Sequence, residues 1–549
     1  MTNTETAPPA KRWHELDALR AGAMLLGILL HAMLAHVPEL AGLWPVSDSA
    51  QSETYSVLMA AIHGFRMPLF FMLSGFFTAM LWRKRGLKSL LGQRAKRILL
   101  PLVIGMFTVV PAVWITSIAA SSATYEKQNE VDNLWASARN GDTTLLQKLI
   151  DGGAPLDAQD PTLGSSPLTV AAIYDRPEAA KLLLDAGADP DFINRDKGTA
   201  AHAAFFFGRA EVAKLLIDKG ADLSIRDQSG ATAIEAMGAG PDVTAFIAGV
   251  IQLEIDQEEV DTGREEIAAY LKDKNIAATP SDAPEATNQA LKGLTDLATL
   301  FPLFHHLWFL WFLCWLVVAF AIYAVAADAV GFKGLPAWLV LTPTRFLWLL
   351  PLTMIPQSYM GLMFEGFGPD TSSGLIPLPH VLLYYAIFFG FGVLYYDTGD
   401  TERIGRNWMI SLPIALLVVF PIGYEMVSHR FGFADTLLAP GWHRLASVFL
   451  QVLYAWMMTF GLMGLFRHFF SGESKRLRYM SDASYWLYLM HLPLVILLQI
   501  FTSALPLPAW LKIVLVTGIV TGVLLATYQW FVRYTFIGKI LNGPRTRPT

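Results

Sequence analysis

The sequence predicts an all-α membrane bundle of about ten transmembrane helices, interrupted by an inserted helical-repeat solenoid. Apolar runs of 18 or more residues, enough to cross roughly 30 Å of hydrocarbon, recur before residue 121 and again after residue 303. Only 16% of residues are charged and 54% are hydrophobic, whereas soluble domains carry roughly 25% charged residues. Charge is also divided along the chain: residues 121 to 303 hold 30 Asp and Glu against 15 Lys and Arg, and the remainder holds 16 against 26. The formal net charge of -5 is therefore the sum of an acidic middle and a basic remainder, two differently built parts of one chain. A single soluble domain is excluded.

Taken in order, the apolar runs place spans near 16–36, 58–80, 98–120, 305–327, 343–361, 378–396, 408–427, 443–466, 483–503 and 511–533. The first run follows Lys11 and Arg12 and is long enough to cross, so it is expected to be a retained helix rather than a cleaved signal. Four segments follow: 1–120, a first membrane part with three spans; 121–250, the repeat module; 251–303, an acidic helix and linker; 304–549, a second membrane part with seven spans. Basic side chains near span ends stay on the cytoplasmic side. The dense run Arg83, Lys84, Arg85, Lys88, Arg94, Lys96 and Arg97, set against only Arg430, Arg444 and Lys512 in the opposite loops, predicts that both termini are cytoplasmic and the insert extracytoplasmic. A bacterial inner membrane is the simplest location. The single cysteine, Cys314, lies in an apolar run and reads as packing.

Within the insert, Leu149-Ile-Asp-Gly-Gly-Ala-Pro155, Leu183-Leu-Asp-Ala-Gly-Ala-Asp189 and Leu216-Ile-Asp-Lys-Gly-Ala-Asp222 recur at intervals of 34 and 33 residues. A second register agrees with the first: Ser166-Pro-Leu-Thr-Val-Ala171, Thr199-Ala-Ala-His-Ala-Ala204 and Thr232-Ala-Ile-Glu-Ala236. This period and the T-P-L-H-x-A register are those of ankyrin repeats, helix pairs that bury their apolar faces only by stacking on their neighbours. About three units are expected between Asn129 and Val250. Residues 251–275, with Glu254, Asp256, Glu258, Glu259, Asp261, Glu265 and Glu266 around Leu253, Ile255, Ile267 and Leu271, read as an acidic helix. Residues 276–290, with Pro280 and Pro284, read as a linker.

Ionisable groups inside a span cost roughly 2.5 kcal/mol or more, so each should be paired, wetted or part of a site. Arg20 and His31 are 11 residues apart in the first span. Eleven steps of 100° return to within about 20°, which puts both on one helix face about 16 Å apart. A neutral imidazole there can serve as a general base or make a hydrogen bond across the bundle. Arg66 lies too deep in the second span to snorkel easily and is expected to orient an acyl or acceptor group. His63, one turn earlier on the same face, is a weaker substrate-binding candidate, as are His306 at the start of the fourth span and Glu365 in an outer loop. His491 reads as a packed or hydrogen-bonded core residue and His202 as a structural position of the repeat. The aromatic run Trp308, Phe309, Trp311, Phe312 and Trp315 reads as an interfacial belt.

Several motifs resemble those of the acyltransferase 3 family of membrane enzymes. They are Arg20 and His31 at their spacing, Arg66-Met-Pro-Leu-Phe-Phe-Met-Leu-Ser-Gly-Phe76, Arg94-Ala-Lys-Arg97 before Ile98 and Pro101, and Ser484-Tyr-Trp-Leu-Tyr-Leu-Met-His491-Leu-Pro493. The first two spans and His306-Leu-Trp-Phe-Leu-Trp311 are most similar to the branch that succinylates osmoregulated glucans. The resemblance covers residues 13–120 and 304–535 and fails across the insert. It implies no permanently bound cofactor, an acyl-CoA cosubstrate (acetyl-CoA or succinyl-CoA) used from the cytoplasm, and a carbohydrate acceptor hydroxyl at the outer face. His31 would be the catalytic base, Arg20 would lie on the donor side, and Arg94 and Arg97 would hold the cofactor phosphates, which guanidinium forks suit bidentately. No metal or nucleic acid is implied. Two other classes compete: a transporter or flippase, because intramembrane Arg and His also mark substrate paths, and a membrane-anchored scaffold in which the ankyrin module binds a protein partner.

Overall fold

The computed structural model describes residues 13–40, 43–129, 133–160, 164–194, 196–227, 230–251, 253–276, 298–299, 301–332, 334–361, 366–400 and 402–543. Among these residues the chain is helical, with an isolated bridge between Arg226 and Thr232. It forms two compact units: residues 1–37, 49–117 and 291–549 make one, and residues 38–48 and 118–290 the other.

In the first unit, among the described residues, eight helices are long and apolar enough to cross a membrane, and the chain is a multi-pass membrane protein. Two of the expected spans, the second and third, share one of these runs, and the expected fifth is not among them. The expected second and third spans form one run, 53–122, in which α2 (Glu53–Arg94) breaks helical geometry only at Gly86. A π-helical turn, Ala95–Leu99, then leads into α3 (Leu100–Asn129). The expected fifth span, 343–361, becomes a 13-residue helix, Arg345–Gln357, about 20 Å long and too short to cross. Pro351 and Pro356 lie inside it, each lacking the N–H that would continue the ladder.

The core of this unit is α1 (His14–Met33), which packs against α2 and against helices His443–Phe470, Lys475–Ser503 and Ala509–Thr527. Its Arg20 and His31 stripe therefore faces protein on several sides. The most extensive helix pair is α2 with Pro379–Asp397, and glycine makes that approach possible. A Cβ on Gly75 would lie 1.9 Å from the Phe389 carbonyl oxygen, and one on Gly392 would lie 2.0 Å from that of Met72. The aromatic run of the fourth span is divided between two environments. Trp308 and Phe312 are buried against Phe71 and Tyr385, whereas Trp315 is exposed. The interfacial-belt expectation thus fails for Trp308 and Phe312, because α2 and Pro379–Asp397 wall off that face.

In the second unit the inner helices α4 (Leu134–Asn140), α6 (Pro167–Ile173), α8 (Ala200–Phe206) and α10 (Ala233–Ala236) stack in order. The outer helices are α5 (Thr143–Asp151), α7 (Pro177–Asp185) and α9 (Ala210–Asp218). Side-chain caps start them: Asn133, Asp142, Ser166 and Thr232 each accept from a backbone N–H of the first turn. His202 has the structural role expected of it, taking the Thr199 N–H on Nδ1 (3.1 Å) while Nε2 lies 3.1 Å from the Ala231 carbonyl.

The acidic helix is integral to this stack. α11 (Pro241–Val250) turns aside, its Ala248 packing with Ile173 and Phe207. α12 (Gln257–Asp273) takes the place of the fourth outer helix against α9. Val260, Ile267 and Leu271 lie on one face by their spacing of seven and four and are buried, the last two within the repeat core. Arg264 fastens α12, donating to the carbonyls of Phe206 (3.1 Å) and Ala239 (2.8 Å) and to Thr244 Oγ1 (3.1 Å). The expected linker, apart from Ile276, lies outside the described residues.

Candidate active site

One turn of helix Lys475–Ser503 organises the site. Pro493 has no N–H for the carbonyl four residues back, so the Leu489 oxygen is released from the helix ladder, and His306 Nε2 takes it at 3.1 Å. His491 points Nδ1 at its own helix, 3.1 Å from the Leu487 carbonyl and 2.9 Å from that of Tyr488. Its Nε2 lies 3.0 Å from His31 Nδ1. The His306 and His491 rings meet edge to face, 5.2 Å between centroids at 83°, and the Tyr488 hydroxyl donates to the His306 carbonyl at 2.7 Å. Three histidines from three helices thus converge, and Gln499 fixes the end of α1 by donating to the His31 and Ala32 carbonyls (3.0 and 3.2 Å).

Arg66 reaches the same place from α2. Its Nη1 occupies the space a side chain at position 27 would fill, 2.1 Å from where a Cβ of Gly27 would stand, one turn before His31. The Arg66 Nε, the His306 Nδ1 and the Tyr385 hydroxyl are all buried without a hydrogen-bond partner. Buried polar atoms are rarely left so, and Tyr385 and Tyr488 both lie within electrostatic reach of the guanidinium. His31, His63 and Arg66 are surrounded by protein yet retain accessible surface. Together these features describe a buried polar cluster with unused hydrogen-bonding capacity.

A second group gathers about half a helix length away along α1, 11 residues before His31 in a helix of 20. Arg20 donates through Nη2 to the Ser481 carbonyl (3.0 Å) and Oγ (2.6 Å), with Asp17 at 3.5 Å. Arg94 donates to Thr78 Oγ1 at 2.8 Å and buries an unpartnered Nε. Arg97 lies within electrostatic reach of Arg20, Arg85 and Arg94, and its carbonyl accepts from the Tyr485 hydroxyl. Clustered guanidiniums raise the local positive potential.

The candidate residues therefore fall into separate places. His31, Arg66 and His306 come together. Arg20, which the resemblance puts on the donor side, stands within electrostatic reach of Arg97. His63 turns to a loop, Nε2 lying 2.8 Å from the Pro369 carbonyl, and the neighbouring Gly368 N–H is held by Gln451 Oε1 at 2.7 Å. Glu365 lies outside the described residues. His491, assigned to packing, is indeed buried (1% exposed), and it also carries the contact to His31. Its position two residues before Pro493 was the only local sign of that role.

Across this fold of spanning helices, a family profile described as an acyltransferase domain matches residues 13–124 and 273–529. The chain belongs to the acyltransferase 3 family, and an ankyrin-repeat profile matches residues 134–227 within it. Among curated relatives, glucans biosynthesis protein C of Escherichia coli (strain SMS-3-5 / SECEC) is 37% identical over 103 residues, covering 19% of this chain and 25% of that protein. The protein of the same name from Salmonella schwarzengrund is 33% identical over 142 residues, 26% of this chain and 35% of its own length. The chain thus matches only a quarter to about a third of these relatives. A solved structure, the ankyrin repeat domain of Bcl-3, is 24% identical, covers 22% of this chain and 50% of that one, and has a TM-score of 0.19.

Proposed function

We propose that the protein is an acyl-CoA-dependent O-acyltransferase that modifies hydroxyls of an extracytoplasmic carbohydrate, a glucan or another cell-surface glycan. The observation that carries this reading is the convergence of His31, His491, His306 and Arg66 around buried polar atoms that lack partners, with the arginine group at the other end of α1. Similarity to proteins named for glucan biosynthesis favours a glucan acceptor.

In the proposed reaction the donor enters with its phosphates on Arg94, Arg97 and Arg20 and its acyl thioester toward His31. His31 takes the proton of the acceptor hydroxyl, and that oxygen attacks the thioester carbonyl. Arg66 and the Tyr385 hydroxyl are suited to stabilise the negative charge that develops on the carbonyl oxygen. Collapse breaks the carbon–sulfur bond. The thiolate takes the proton back from His31, so an ester and free coenzyme A result. Acetyl-CoA and succinyl-CoA are the proposed donors, a bacterial inner membrane the proposed location, with both termini cytoplasmic and the insert outside. The ankyrin module would there meet a protein partner.

The test compares membranes containing wild type with membranes containing His31→Ala, each supplied with acetyl-CoA or succinyl-CoA and a periplasmic glucan. Mass spectrometry of the glucan reads the acyl increment. The wild type adds it and the variant does not. Equal transfer by both removes His31 from the mechanism, and no transfer by the wild type with either donor overturns the assignment.

A further inference from the structure

We propose that His491 is a positioning residue for this reaction: its Nε2 accepts the Nδ1 proton of His31 and thereby leaves the His31 lone pair on Nε2, which becomes the basic nitrogen. The inference rests on the reading of His31 as the base. It goes further in naming which nitrogen works and what selects it.

The assignment follows from partners rather than from observed hydrogens. Both atoms beside His491 Nδ1 are carbonyl oxygens, Leu487 at 3.1 Å and Tyr488 at 2.9 Å, and carbonyls only accept. Nδ1 of His491 therefore carries hydrogen, and in the neutral ring Nε2 holds the lone pair. That lone pair faces His31 Nδ1 at 3.0 Å. Two lone pairs cannot share so short a distance, so His31 Nδ1 carries a hydrogen. The basic atom of His31 is consequently Nε2.

The surroundings hold His491 in this state. The edge-to-face His306 ring limits its rotation, and His306 is itself pinned to the carbonyl that Pro493 releases. In many hydrolases a carboxylate orients the catalytic imidazole and stabilises its charged form. Here Arg66 lies within electrostatic reach of both His31 and His491, and a carboxylate would pair with the guanidinium instead. A neutral imidazole accepts the same proton without capturing Arg66. When His31 becomes an imidazolium, its Nδ1–H continues to donate to His491, which shares the charge.

Two substitutions separate positioning from packing. In His491→Gln an amide oxygen can stand where Nε2 stood and accept from His31. In His491→Asn the amide can still donate to the Leu487 and Tyr488 carbonyls but falls short of His31. Full-length wild type, both variants and His31→Ala are compared in membranes with succinyl-CoA, acetyl-CoA and a periplasmic glucan. Release of free thiol gives kcat and KM, and thermal unfolding is measured in parallel.

The expected result is that Gln stays within about tenfold of the wild-type kcat, while Asn loses about a hundredfold or more with KM for donor and glucan unchanged. A wrong tautomer at a catalytic histidine costs on that scale or more. Asn with wild-type kcat, Gln falling as far as Asn, or a loss expressed in KM would each overturn the proposal. If Asn fails to accumulate, His491→Met, similar in bulk and a poor acceptor, replaces it with the same expectation. Activity retained in His31→Ala instead overturns the reading of His31 as the base. Inactive His31→Ala with fully active Asn overturns the present inference alone.

Discussion

Gly27→Ala tests the site with a single methyl group. A Cβ at position 27 would lie 2.1 Å from Arg66 Nη1, whereas non-bonded heavy atoms settle at about 3.5 Å. The guanidinium must therefore withdraw by about 1.4 Å. It is the far end of a flexible chain, so the helix itself need not move, and α1 gains up to about 1 kcal/mol in helix propensity when glycine becomes alanine. Stability should hold while geometry is lost. A misplacement of about 1 Å in a catalytic group can cost roughly a hundredfold in rate, equivalent to about 2.7 kcal/mol of transition-state stabilisation. The assay is thiol release from acyl-CoA in the presence of glucan, with thermal unfolding alongside. Gly522→Ala serves as the control, since nothing lies within 4 Å of a Cβ there, and it should match the wild type in both measurements. A Gly27→Ala protein with wild-type kcat would refute the placement of Arg66 in the reaction.

Arg94→Ala should raise KM for acyl-CoA by about tenfold to a hundredfold with a smaller effect on kcat, because one charge-assisted hydrogen bond contributes roughly 1.5–3 kcal/mol; an unchanged KM would return Arg94 to a purely structural bond with Thr78. Gly75→Ala should destabilise the membrane unit by about 1–3 kcal/mol, read as a lowered unfolding temperature, because its methyl meets the Phe389 backbone and backbone cannot swing aside. Arg264→Ala should loosen α12 from the repeat stack by several kcal/mol, since it leaves the Phe206 and Ala239 carbonyls and Thr244 short of a donor at roughly 1–3 kcal/mol each. Hydrogen exchange over residues 241–276 measures it, and unchanged protection there would show that apolar packing alone holds the helix.

Sequence by itself determined the helical class, the membrane embedding and the repeat module. Each is written in a local signal: uninterrupted apolar length, or a short phrase repeated at a fixed interval. It also singled out His31 and Arg66, because an ionisable side chain inside an apolar run is conspicuous wherever the run folds. Tertiary structure decided the rest. It shortened the fifth span, since prolines compete with apolar length and sequence does not weigh one against the other. It drew α12 into the repeat stack, because a helix's apolar stripe of Val260, Ile267 and Leu271 names no partner. Above all it brought His491, 460 residues from His31, into contact with it. A histidine in a helix looks the same whether it packs, binds or orients; only the neighbour across the bundle, and the carbonyls that fix its proton, distinguish these roles.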